Sequence, residues 1–216
     1  MDEKTVVIQE FAPEHLDAVV QLHQECFSAE TNFAIRLGPR FLRATYKFFL
    51  TDSLAFGFVA TVAGVPAGFI LGRLDYYTLA LNRYRRGAYL RALVRHPSVL
   101  FSWRFFKRSF RVLLALLRNR WIGHQNLERA PSHTQGKTAT LASLGSLPEY
   151  AHYRVSDHLV AAAEQYCRDK GMARLRTGVR PDNVPSRFLF RNRAYLQDDV
   201  LSSSESLFYY LPLTNA

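Results

Sequence analysis

Leu141-Ala-Ser-Leu-Gly-Ser-Leu-Pro-Glu-Tyr-Ala-His-Tyr-Arg-Val-Ser-Asp-His-Leu159 runs from a β-prone segment, through a proline break, into a helix. The strand candidate covers Thr138–Leu147, and Pro148 ends it because proline has no N–H to give to a ladder. Past the break, Val155, Leu159, Val160, Ala163, Tyr166 and Cys167 recur at helical spacing and mark one buried face. Arg168 and Lys170 suit the last turn, where cations meet the negative end of the helix dipole, and Gly171 suits the C-terminal cap.

On the N-terminal side, Thr5–Phe11 is a short β-prone run. Pro13 then opens a helix whose inward positions include Leu16, Val19, Val20, Leu22, His23 and Phe27. Gly38–Leu50 reads as a second helix with Phe41, Leu42, Tyr46 and Phe49 on one side. Ala55–Val62 and Ala67–Leu74 flank Ala63-Gly64-Val65-Pro66, which is turn chemistry, so they form a hairpin. On the C-terminal side, Ala173–Val179 is a strand, Pro185–Phe190 begins a short helix, and Tyr195–Leu201 pairs with Ser206–Leu213. Pro131–Gly136 reads as a loop.

A chain of 216 residues with 48% hydrophobic content fits one domain with a substantial core. Cys26 and Cys167 are the only cysteines and lack redox or metal spacing, so they read as small buried side chains in a reducing compartment. The charged start, Met1-Asp2-Glu3-Lys4, offers no secretory hydrophobic region, and a cytoplasmic protein is expected. Seven scattered histidines show no ligand spacing, so no metal is expected.

Three stretches together resemble the GNAT superfamily of acyl-CoA N-acyltransferases. Gly57–Gly72 looks like its hairpin, Leu141–Leu159 like its acyl-CoA segment, and Val179–Tyr195 like its V-x-P-x-N-x-x-A-x-x-F-Y-x-x-x-G-F pattern. The resemblance implies an α/β fold: a mixed, mostly antiparallel central sheet with splayed parallel fourth and fifth strands and helices on both faces. It also implies a single domain over 1–216. Strands parting at Leu144–Leu147 (through Gly145 and Ser146) and Leu175–Val179 would hold the pantetheine and the thioester carbonyl of acetyl-CoA or another acyl-CoA. Backbone amides there act as an oxyanion site. The pyrophosphate falls to the helix N-terminus at Arg154, Val155, Ser156 and Asp157, with Asn183, Arg187 and Phe190 contributing from the later segment. The implied chemistry is direct attack of a small-molecule primary amine on the thioester in a ternary complex.

The chain departs from the family in two places. Where the family turn reads Q/R-x-x-G-x-G/A, this sequence has Ala151, Arg154 and Ser156. An arginine in the glycine position strains the backbone if a left-handed conformation is required, and its guanidinium either clamps a phosphate or fills the pocket. The usual tyrosine acid aligns with Phe190, which has no proton to give. The strand position that often carries a glutamate base falls near Thr140, which leaves Glu149, at the strand end, as the nearest carboxylate. The alternative reading is therefore a catalytically impaired relative that serves as a membrane-surface or partner-binding module.

The charge is concentrated in a basic helical insertion at about 76–137. Between Tyr76 and Ala130 stand twelve Arg and Lys against Glu128 alone, so 12 − 1 gives +11 of the chain's net +10. Within Ser98–Trp121, Arg104, Arg108, Arg111 and Arg118 fall in an arc of roughly 80° at the helical period. Trp103, Phe106, Phe110 and Leu113 face elsewhere. The longest apolar run, Val112–Leu117, is far too short to span a membrane. Three readings stand: a helix pair packed on the core or at a homodimer interface, peripheral attachment to an anionic membrane at the inner face, or recruitment of an anionic ligand. Nucleic acid is the weakest of these, since no recognised binding module accompanies the charge.

Overall fold

A computed structural model describes residues 5–30, 32–75, 78–95 and 137–213. The expectations for the loop at 131–136 and the stripe at 98–121 lie outside the described residues. The elements are β1 (Val6–Glu10), a 3-10 turn (Pro13–His15), α1 (Leu16–Cys26), α2 (Phe33–Arg36), α3 (Pro39–Thr51), β2 (Ala55–Val62), β3 (Val65–Arg73), α4 (Thr78–Tyr84) and α5 (Arg86–Arg95). There follow β4 (Thr138–Ser146), a second 3-10 turn (Pro148–Tyr153), α6 (Val155–Asp169), β5 (Arg174–Val179), α7 (Val184–Asn192), β6 (Leu196–Asp198) and β7 (Leu207–Pro212).

Seven strands form one sheet in the order β1-β2-β3-β4-β5-β7-β6. Every pair is antiparallel except β4 with β5. The β2–β3 turn is tighter than the sequence suggests. Ala63 and Gly64 alone make it, both at positive φ (51° and 79°), and Val65 and Pro66 belong to β3. A two-residue turn with both central residues left-handed matches the right-handed twist of the strands it joins, and a bulge between Ala60 and Thr61 leaves Pro66 room beside the ladder.

Two apolar clusters cover the sheet's two faces. On one, α6 places Val155, Leu159, Val160, Ala163 and Cys167 against Phe56, Ile70, Leu141 and Leu175. On the other, α1 and α3 place Val19, Leu22, Leu42, Tyr46 and Phe49 against Val59, Phe69 and Leu71. Gly68 sets how closely α6 lies on the sheet: a Cβ there would sit 2.8 Å from both the Gly145 carbonyl oxygen and Val155 Cγ1. Gly68→Ala is therefore expected to destabilise by about 1–3 kcal/mol through overpacking. Urea unfolding measures it, and an unchanged midpoint would contradict the close approach.

Candidate active site

β4 and β5 pair only over Thr138–Thr140 with Arg174–Arg176. From Leu141 onward β4 keeps β3, while Thr177–Val179 keep only β7, so the two parallel strands part. The opening therefore begins earlier on β4 than the family resemblance implies. Leu175 and Arg176 remain in the ladder. The cause is local: the register passes from Leu71↔Ser143 to Gly72↔Leu141, which inserts Ala142 as an extra residue. A bulged strand bends and twists more strongly, and here it swings away from its neighbour.

Past the bulge the β4 side chains alternate cleanly. Ser143 and Gly145 oppose Leu71 and Phe69, on the face covered by α1 and α3. Leu144 opposes Ile70, on the α6 face, where Ser146 Oγ lies 2.7 Å from Ser156 Oγ and ties the strand end to the helix start. Gly145 is buried against Phe69 and Cys26. At the floor of the opening, Thr140 Oγ1 is buried with no hydrogen-bond partner among the described residues.

The turn into α6 is made by Arg154 in the left-handed conformation, φ 52° and ψ 38°. The position is thus glycine-like in its backbone. Its side chain is 74% exposed, with Nε donating to Asp157 Oδ2 at 3.2 Å. A guanidinium so placed stands in solvent beside the helix entrance. The first intrahelical bonds run from Asp157 and His158 N–H to the Arg154 carbonyl at 2.9 and 3.2 Å, so the N–H groups of Val155 and Ser156 lie ahead of the ladder. Val155's side chain itself is core. Asp157 also faces Arg193 at 3.6 Å, and Arg193 forks onto the buried Glu164 at 3.0 and 2.7 Å.

The later segment is held by contacts of its own. Asn183 caps α7, accepting from Ser186 N–H at 3.1 Å. Arg187 donates to the Pro181 carbonyl at 2.9 Å, and its Nε is buried without a partner among the described residues. Phe190 is 2% exposed, with its ring 5.0 Å from Tyr195. Glu149 is exposed in the first turn of the 3-10 segment. Burial, then Glu25 and Glu149, pushes the Cys26 thiol up to about 11. His152 and His158 are exposed, and no cluster of three or more His, Cys, Asp or Glu among the described residues could hold a metal.

One constellation escaped the sequence reading. His23, placed there among apolar helix positions, is buried between Asn32 and Tyr46. Asn32 Oδ1 accepts from Ala34 N–H, which fixes the amide so that Nδ2 donates to His23 Nε2 at 2.8 Å. The histidine proton then sits on Nδ1 and is donated to the Tyr46 oxygen. Burial lowers the His23 pKa to about 4, so the ring is neutral at ordinary pH. Burial also raises the Tyr46 hydroxyl pKa. Ser143, on the open segment of β4, lies beside the Tyr46 hydroxyl. The signal available in the sequence was a histidine on a buried helical face, which needs a polar partner.

Parting parallel strands, with a helix N-terminus set at their open end, define an acyl-CoA-type transferase scaffold. A model of the Acetyltransferase (GNAT) family matches residues 77–195, more than half of the sequence, and the chain belongs to that family. Solved structures agree in fold. The PaiA N-acetyltransferase of Thermoplasma acidophilum, in complex with coenzyme A, is 13% identical with a TM-score of 0.59, covering 96% of this chain and 99% of its own. A putative GNAT acetyltransferase of Desulfovibrio desulfuricans is 11% identical with a TM-score of 0.57, covering 97% and 100%. The ribosomal-protein-S18-alanine N-acetyltransferase of Escherichia coli is 13% identical with a TM-score of 0.53, covering 98% and 96%. No curated protein sequence matches the chain.

Proposed function

We propose that this protein transfers an acetyl or other acyl group from acyl-CoA to a primary amine of a small molecule, by direct attack in a ternary complex. The observation that carries the reading is the opening of β4 from β5 immediately beside the Ser146–Ser156 tie and the α6 N-terminus. Backbone groups on the open edge of Leu141–Ser146 suit the pantetheine amides and the thioester oxygen. The free N–H groups of Val155 and Ser156, with Arg154 beside them, suit the pyrophosphate.

On the acceptor side, Thr140 and Ser143 supply hydroxyls but no base, since a hydroxyl does not take a proton at neutral pH. The amine therefore reacts in its neutral form and loses its proton to solvent. A thiolate with a parent pKa of about 8.5 leaves without an acid at Phe190.

Calorimetric titration with acetyl-CoA and longer acyl-CoAs tests the reading, and no binding to any of them overturns it. Two substitutions separate side chain from backbone at the turn. Arg154→Ala keeps the left-handed strain and removes the guanidinium, so coenzyme affinity should fall by roughly 10- to 100-fold, the worth of about 1.5–3 kcal/mol for a charged hydrogen bond. Arg154→Gly removes both, and the fold should gain about 1 kcal/mol while affinity falls less. Tighter binding by Arg154→Ala than by the parent would contradict the clamp.

A further inference from the structure

Residues 33–51 and 78–95 carry nine Arg and Lys and no Asp or Glu. Arg43 finds Asp17 on α1. Arg40, Arg91 and Arg95 form no ion pair among the described residues, and all three line a cavity of about 470 Å³ between α3 and α5. Its floor is apolar, from Leu37, Phe41 and Ala92, and the Gly38–Arg40 start of α3 opens into it. Three guanidinium groups around one cavity repel each other, and an anion there offsets that cost.

The outer face of α5 adds a second feature. At 100° per residue, Tyr89 and Ala92 turn inward and are buried, while Leu90 and Val94 form an outward ridge, 42% and 83% exposed. Arg86 flanks the ridge on one side, and Arg91 and Arg95 flank it on the other. Exposed aliphatic side chains between arginines are the composition of helices that lie in a membrane interface.

We infer that α5, with the adjoining mouth of the α3–α5 cavity, docks on an anionic phospholipid surface. A headgroup phosphate lies among Arg40, Arg91 and Arg95, and Leu90 and Val94 enter the acyl boundary. Charge complementarity selects this occupant. A second copy of the chain in a two-fold contact would bring the same arginines face to face, and nucleic acid or a free anion leaves the aliphatic ridge without a role. The sequence that follows Arg95 repeats the pairing, with Trp103 and Phe106 among Arg104 and Arg108.

The test is flotation of the full chain with phosphatidylcholine vesicles and with vesicles of equal parts phosphatidylcholine and phosphatidylglycerol. Flotation with the second alone, weakened by salt, is expected. Arg91→Glu/Arg95→Glu should reduce the bound fraction at least tenfold. Val94→Ser, which leaves the charge unchanged, should reduce it several-fold, which a purely electrostatic contact would not show. Both sites are exposed, so the thermal midpoint and acyl-CoA binding should hold, keeping this outcome separate from the transferase reading. Equal flotation with neutral vesicles overturns the inference, as does parent-like flotation of the double variant. Self-association or DNA binding through these side chains in the absence of flotation also overturns it.

Discussion

Arg193→Met is expected to cost about 3–5 kcal/mol of folding stability, measured by denaturant unfolding at neutral pH. The Glu164 side chain is 7% exposed, and the Arg193 fork holds both of its oxygens. Without that fork a carboxylate stays in the α6–α7 interface with no counter-charge. Glu164 also holds the guanidinium pKa of Arg193 above its usual range. The double variant Arg193→Met/Glu164→Leu should recover most of the loss, because an apolar pair of similar volume carries no desolvation penalty. A single variant as stable as the parent, or a double variant worse than the single, would remove the argument. Arg193 also steadies Asp157, the partner of Arg154, so coenzyme affinity should fall in the single variant as well.

Legibility in the sequence follows the range of the forces involved. The bounds of β2 were plain because a β-prone run ended by turn residues is a local feature, although the turn itself takes two residues rather than four. The left-handed demand at position 154 was legible as well, since it follows from the turn pattern, and the structure places φ at 52° there. What the side chain does was not legible. Asp157 captures it at i+3, while its exposure depends on how α6 seats on β4. The bulge at Ala142 was equally hidden, because it arises from a mismatch between two strands far apart in sequence. The same holds for α2, four residues long and fixed by the Asn32 cap. Phe190 shows the converse: the motif placed it in register, yet burial against Tyr195 gives it a packing role that no spacing rule announces.

A second large effect lies in the pH dependence of stability, and it is carried by His23. Its pKa is lowered to about 4 in the fold, from about 6.5 when unfolded. Between those values the unfolded chain binds the proton and the folded chain does not, so stability rises with pH across the window. The contribution is full above pH 6.5 and lost as pH falls toward 4, a total of about 3 kcal/mol. Comparison of pH-dependent unfolding in the parent and in His23→Gln isolates it. The variant should be less stable at pH 7 yet show a flatter slope between about 4 and 6.5, and parallel slopes would exclude His23 as the source. Protonation also has a structural consequence. A proton on Nε2 sets two donors, His23 and Asn32, against each other and breaks the tie that holds Asn32 to α1. Tyr46→Phe attacks the same chain from its other end, leaving the Nδ1 proton without its acceptor at a cost of about 1–3 kcal/mol. It also removes the hydroxyl that lies beside Ser143 on the open segment of β4. Acyl transfer by the parent should therefore decline as pH falls toward about 4, where the folded ring takes the proton, and Tyr46→Phe should show the lower rate already at neutral pH with acyl-CoA affinity unchanged.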